Sequence, residues 1–355
     1  MLKNKKRIYT CSSGLEISST NSSYFFRKLW QNLFPLLFLS AIPGHSYSKD
    51  FDVKGWVGTK IEAEDLKNGE ISHRIEVDLD TKRENGIRAE ASLRYVSLNE
   101  EVLFREALVN KKMGDGYRLE FGYNRKRFGL EFENSKLRRN TIERNPVYKR
   151  LTVFTYTGRE TMLRYYRKAK YDKDRNGLEL ALCYSEDQNA SLVFHQKFPV
   201  SEDDNLSYWL QLQSDHTDTG TQLVGSAIAA YELMFGNHGL DLELITGVDP
   251  NQTELNKTLN IGGTAYFAAT KIETVIRLWR EKDRIWDFIS SGSYFAQDLD
   301  EPSFNSMQAL LGARYQTGPL DVALNVELVG STSRLDTSNR RYSESNLRFE
   351  IIYEY

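Results

Sequence analysis

Between Arg118 and Arg150 the chain carries ten basic residues: Arg118, Arg125, Lys126, Arg127, Lys136, Arg138, Arg139, Arg144, Lys149 and Arg150. Only Glu120, Glu131, Glu133 and Glu143 oppose them. The rest of the 355-residue chain does not share this bias: its formal net charge is -2, and beyond residue 48 there are 41 basic and 48 acidic residues. Guanidinium groups bind oxyanions through two parallel hydrogen bonds, and lysines act as compact point charges. Gathered at a narrow aqueous passage, such groups attract anions and partly replace their water. Salt bridges to acids such as Glu76, Asp78 and Glu90, or contact with lipopolysaccharide phosphates, would use the same residues without a passage.

Other chemistries find little support. His73, His195, His216 and His238 form no metal-spaced pair and lie in no Gly-x-Ser-x-Gly context. The nearest approach to a hydrolase is Ser191 with His195, and closeness along one strand does not establish hydrogen-bond reach. Of the two cysteines, Cys11 lies in the N-terminal segment and Cys183 stands alone after it. No catalytic residue, metal or cofactor is expected, and no overall basic excess suggests a nucleic-acid partner.

The elements that must carry the basic stretch have a period of two. Leu178, Leu180, Leu182 and Tyr184 alternate with Glu179, Ala181, Cys183 and Ser185. Leu206, Tyr208, Leu210 and Leu212 alternate with Ser207, Trp209, Gln211 and Gln213, and Leu320 to Leu328 alternates with Asp321, Ala323, Asn325 and Glu327. Segments of about 9–11 residues with one apolar and one charged face suit strands that cross a bilayer with water on their inner side. Hydrophobic residues make up 40% and charged residues 27% of the chain, which excludes a polytopic helical membrane protein. Asn-Gly signals at 67–69, 84–86, 175–177 and 237–239 predict tight turns; polar gaps at 214–221, 249–257 and 330–344 predict longer loops. The expectation is an all-β antiparallel transmembrane barrel of about 16 strands, within a range of 14–18.

Residues 29–42 are the one strongly apolar run, preceded by Arg27 and Lys28 and followed by Ser46-Tyr47-Ser48. This pattern predicts a signal peptide over 1–48 and a barrel over 49–355. At the other end, Phe349, Ile351, Tyr353 and Tyr355 alternate up to the last residue. That resembles the terminal signal read by the barrel assembly machinery.

Residues 119–144, LEFGYNRKRFGLEFENSKLRRNTIER, resemble the phosphate-selective porin O and P family. The match rests on Gly122, Arg125, Phe128, Gly129, Leu130, Glu131, Glu143 and Arg144, while Arg127 stands where that family has Pro. The resemblance implies an outer-membrane porin of a Gram-negative cell, with a loop folded into the lumen and a homotrimer among its assembly states. Phe128, Gly129, Leu130 and Glu131 would anchor the loop. Arg125, Lys126, Arg127, Arg138, Arg139 and Arg144 would face small anionic solutes such as phosphate, and outer-membrane lipid and lipopolysaccharide would surround the barrel. A closed structural or adhesive barrel is the alternative, and an outer-membrane hydrolase the third reading.

Overall fold

The computed structural model describes residues 51–64, 68–82, 86–98, 101–133, 141–170, 175–185, 189–217, 220–250, 253, 264–296, 299, 305–332 and 341–354. The predicted alternation resolves into sixteen strands: β1 Phe51–Glu64, β2 Asn68–Lys82, β3 Ile87–Val96, β4 Glu101–Lys112, β5 Tyr117–Arg125, β6 Arg159–Arg167, β7 Gly177–Tyr184 and β8 Ala190–Pro199 form the first half. The second half is β9 Asn205–Thr217, β10 Gly220–Phe235, β11 His238–Val248, β12 Tyr266–Glu281, β13 Arg284–Ala296, β14 Asn305–Thr317, β15 Leu320–Thr332 and β16 Arg341–Glu354. Each strand pairs antiparallel with its sequence neighbours, and β16 closes on β1 from Trp56↔Glu354 to Glu64↔Asn346. Closure leaves no strand edge with unpaired backbone groups, a requirement for a sheet surrounded by lipid.

Side-chain chemistry explains which face turns outward. In β6, Thr161, Leu163 and Tyr165 are exposed on the outer wall, whereas Glu160, Met162, Arg164 and Tyr166 are buried inside. Phe121 (60% exposed), Leu182, Leu210, Leu244 (63%) and Leu328 continue the apolar outer surface around the barrel. So much exposed apolar surface marks contact with lipid. Inside, charges neutralise one another: Arg164 with Glu120 at 2.6 Å, Arg277 with Asp287 at 2.9 Å, and Arg348 with both Glu62 (2.5 Å) and Glu327. In the terminal strand, Phe349, Ile351 and Tyr353 alternate with the buried Arg348, Glu350 and Ile352. Tyr355 lies outside the described residues.

One rim is marked by the starts of the odd-numbered strands and the ends of the even-numbered ones. The other is marked by the ends of the odd-numbered strands and the starts of the even-numbered ones, and the segment that follows β5 leaves from this second rim. Two expectations are corrected. The 214–221 gap is mostly strand, because Ser214–Thr217 pairs onward with Gly220–Leu223; its polar residues extend the ladder instead of interrupting it. The 237–239 turn sits one residue earlier: Phe235 pairs with His238, and Gly236, at φ 63°, takes the left-handed position.

Candidate functional site: a loop folded into the lumen

The 126–158 connection enters the barrel as soon as β5 ends. Lys126 N–H donates to Gly158 O at 2.9 Å, which draws the two ends of the loop together. Lys126 Nζ pairs with Glu160 at 2.7 Å and donates to Thr155 O at 2.6 Å. Gly129, at φ 91°, turns the chain where a Cβ would stand 2.1 Å from the Tyr148 hydroxyl oxygen. The short helix α1, Leu130–Glu133, follows. A second helix, α2, spans Pro146–Val153; the Asn145 side chain caps it by accepting from Val147 N–H at 2.9 Å, with Pro146 in its first turn.

These turns place Phe128, Leu130, Phe132, Val147, Tyr148, Leu151, Phe154 and Tyr156 in one buried cluster with Met162, Cys183, Val193, Trp209, Ile228, Ile245, Phe267 and Phe295 of the wall. Phe154 meets Phe267 at 5.4 Å between ring centres and Phe295 at 6.3 Å. A barrel interior is otherwise polar, so this core explains why the wall from β6 to β13 interrupts its charged inner face with apolar residues.

Polar anchors frame the core. The Tyr156 hydroxyl lies 2.9 Å from Gly225 O and 2.8 Å from Val248 O, and Gln213 Nε2 donates to Phe154 O at 2.9 Å. Lys271 gathers three carboxylates: Glu131 of the loop at 3.0 Å, and Glu243 and Glu273 of the wall at 3.3 Å each. Glu131 also accepts from Asn145 N–H, and the Tyr148 hydroxyl donates to Glu243. Farther along, Glu143 pairs with Lys60 of β1 at 2.8 Å and with Arg74 of β2 at 3.6 Å. Burial by itself would raise the Glu143 carboxyl, but Lys60, Arg74 and Lys149 outweigh it and hold the group well below the ordinary carboxylate range.

Between the loop and the β2–β5 wall remains a cavity of about 390 Å³. Arg74, Arg94, Arg105 and Arg125 line it from the wall, and Glu143, Arg144, Lys149 and Thr152 from the loop. Arg94 is matched by Glu76, and Arg159 has Glu106 at 4.0 Å. Arg105 and Arg125 make no ion pair among the described residues, and the Nε of each is buried without an acceptor. Toward the opposite rim a second cavity of about 470 Å³ is lined by Arg127, Tyr166, Arg167, Lys170, Glu179, His195 and Lys197, among others.

The residues singled out in the sequence therefore separate. Phe128 (0% exposed) and Leu130 are core, Gly129 is the turn, and Glu131 is the tie to Lys271. Arg125 and Arg144 border the loop-side cavity, and Arg144 also lies over the Phe132 ring at 4.1 Å. Arg127 faces the other cavity, over Tyr166 at 5.9 Å. Lys126, 2% exposed and held by Glu160, is a structural cation and not one facing a solute, because three consecutive basic residues leaving a strand cannot share one side. Arg138 and Arg139 lie outside the described residues. Arg105 and Lys271 were not singled out in the sequence; only the spatial arrangement gives Lys271 its carboxylates and brings Arg105 to the cavity wall. Ser191 and His195 both point inward, and His195 stacks on Trp209 at 4.3 Å, so they form no site on the outer wall.

The chain matches no family model and no curated protein sequence. Its fold does have solved counterparts. It is similar to a loop L8 deletion mutant of OmpT, an outer membrane protein of Vibrio cholerae (TM-score 0.63, 10% identity, covering 87% of this chain and 100% of that one). It is also similar to the anion-selective porin from Comamonas acidovorans (TM-score 0.60, 11% identity, 87% and 100% covered). The outer membrane channel DcaP of Acinetobacter baumannii aligns with TM-score 0.59 and 10% identity over 88% of this chain and 100% of that one. At these identities the likeness is one of fold: a closed, antiparallel sixteen-stranded barrel of the kind found in outer-membrane proteins.

Proposed function

We propose that the chain is an outer-membrane porin: a passive, anion-leaning diffusion channel in a Gram-negative cell. The observation that carries this reading is the arginine-lined cavity beside the inserted loop, where Arg105 and Arg125 have no carboxylate partner among the described residues. Several other lumen arginines, Arg164, Arg314 and Arg348 among them, are balanced by acids. A solute enters over the loop rim, exchanges part of its hydration for guanidinium contacts, and leaves at the other rim without energy input. Residues 1–48 serve as a signal peptide removed on export, and the terminal strand serves recognition by the assembly machinery. The resemblance of 119–144 to phosphate-selective porins O and P supports phosphate-like anions as solutes and a trimer as the assembly.

Planar-bilayer recording of the purified chain tests this reading. Stable ohmic steps with an anion-preferring zero-current potential are expected, and replacement of Arg125 by Glu should move that potential toward cations. Membranes without steps would favour a second reading, a closed structural barrel. The observation on its side is the apolar core that fills the lumen between the loop and β6–β13.

A further inference from the structure

β4 carries one residue more than its pairing with β3 requires. Glu106 pairs with Ser92 and Phe104 with Leu93, which leaves Arg105 without a partner on β3. This is a β-bulge, in which two residues of one strand oppose one of the other. Its effect here can be read from the flanks. Phe104 is exposed on the outer wall, Glu106 approaches Arg159 inside, Leu108 and Asn110 are buried inward, and Val109 is exposed outward. Without Arg105 the alternation from Phe104 to Asn110 would be unbroken. With it, two successive side chains turn inward and Arg105 becomes an added cation on the cavity wall.

Among the described residues no ion pair neutralises that cation. Arg94 and Arg159 lie next to it, and its acidic neighbours Glu76 and Glu106 are already engaged with those two arginines. Its Nε is buried with no acceptor. A bulge weakens the ladder, and an unneutralised guanidinium among like charges weakens the fold further. An anion in the cavity would relieve that repulsion.

We propose that Arg105 is the principal residue setting the charge preference of the channel, acting with Arg125 as a pair of unneutralised guanidinium groups that small oxyanions contact in transit. This rests on the reading of the chain as an open channel. The test is the zero-current potential of the full-length mature protein in planar bilayers across a potassium chloride gradient, for the wild type, Arg105→Gln, Arg105→Lys, a deletion of Arg105, and Arg88→Gln. Arg88 is a lumen arginine already matched by Asp80 and Glu90. One charge about 8 Å from a passing ion in water-like surroundings changes anion and cation occupancy about 2.4-fold each, in opposite senses. Arg105→Gln and the deletion are therefore expected to lower the anion-to-cation permeability ratio about sixfold at low salt, and less as salt screens the charge. Arg105→Lys should keep the ratio, and Arg88→Gln, at the opposite end of β3 from the cavity, should change it less than Arg105→Gln does. Heat-modifiable migration on gels reports folding, and Arg105→Gln carries the test if the deletion does not assemble. An anion-preferring wild type with an unchanged Arg105→Gln, or with an Arg88→Gln equal to it, overturns the assignment and leaves the channel reading standing. A wild type without anion preference overturns both.

Discussion

Replacing Gly129 by Ala should separate the loop from its core. Two costs add. A left-handed backbone at a residue with a Cβ costs roughly 1–2 kcal/mol. The new methyl would also stand 2.1 Å from the Tyr148 oxygen and 2.6 Å from its ring. Tyr148 is fully buried and its hydroxyl is committed to Glu243, so the ring has no free direction in which to yield. Overpacking of this kind costs about 1–3 kcal/mol, which brings the total to about 2–5 kcal/mol. Gly236→Ala provides the comparison: that residue is also left-handed, at φ 63°, but a methyl there would meet nothing within 4 Å, so only the backbone cost of roughly 1–2 kcal/mol applies. Urea unfolding in lipid vesicles measures the global effect. Trypsin measures the local one, because Lys149 and Arg150 are exposed on α2 and become cleavable once the loop lifts. If Gly129→Ala matches Gly236→Ala in both assays, the packing of Tyr148 against Gly129 is not what holds the loop.

Three further outcomes are expected. Tyr156→Phe removes the hydroxyl shared by Gly225 O and Val248 O and should cost about 1–3 kcal/mol by the same unfolding assay, with the fold intact. Because the Glu143 carboxyl is held below its ordinary range, its contribution is present above the unfolded value near pH 4.3 and is lost only as pH falls through the lower folded value; the loop should stay docked from pH 7 to about 4. Lys60→Met raises that carboxyl, so pepsin sensitivity of the loop should begin at higher pH, and an unchanged acid profile would refute the latch. Deleting Tyr355 should reduce the folded, heat-modifiable fraction in outer membranes, and undiminished assembly would remove its role as a recognition signal.

The barrel was legible because lipid on one face and water on the other force alternation: Leu178–Tyr184 and Leu206–Gln213 can be assigned to faces by eye. Phe128, Gly129, Leu130 and Glu131 stand out in the sequence because they are contiguous and form a local pattern. Direction was not legible. Arg125, Lys126 and Arg127 are equivalent as letters, yet one borders the loop-side cavity, one is locked onto Glu160, and one turns to the opposite cavity. Arg105 was hidden because a bulge needs no glycine or proline to mark it, and a bulged strand reads as an ordinary strand with one imperfect step. The carboxylates around Lys271 come from α1, β11 and β12, so no spacing along the chain could have gathered them.

The strands differ in length in a way that bears on the surrounding lipid. β7 has 8 residues, and β5 and β6 have 9 each, whereas β10 and β12 have 16. At about 3.3 Å per residue and a tilt near 45°, the short strands rise about 19–21 Å and the long ones about 37 Å. An apolar belt is about 25 Å tall, so the short arc falls slightly below it and the long arc stands well above it. Hydrophobic mismatch then has a direction: the bilayer thins beside β5–β7, or the barrel leans toward that side. A membrane of graded thickness should therefore sort and orient this protein by one flank, a property of its outline and not of its lumen.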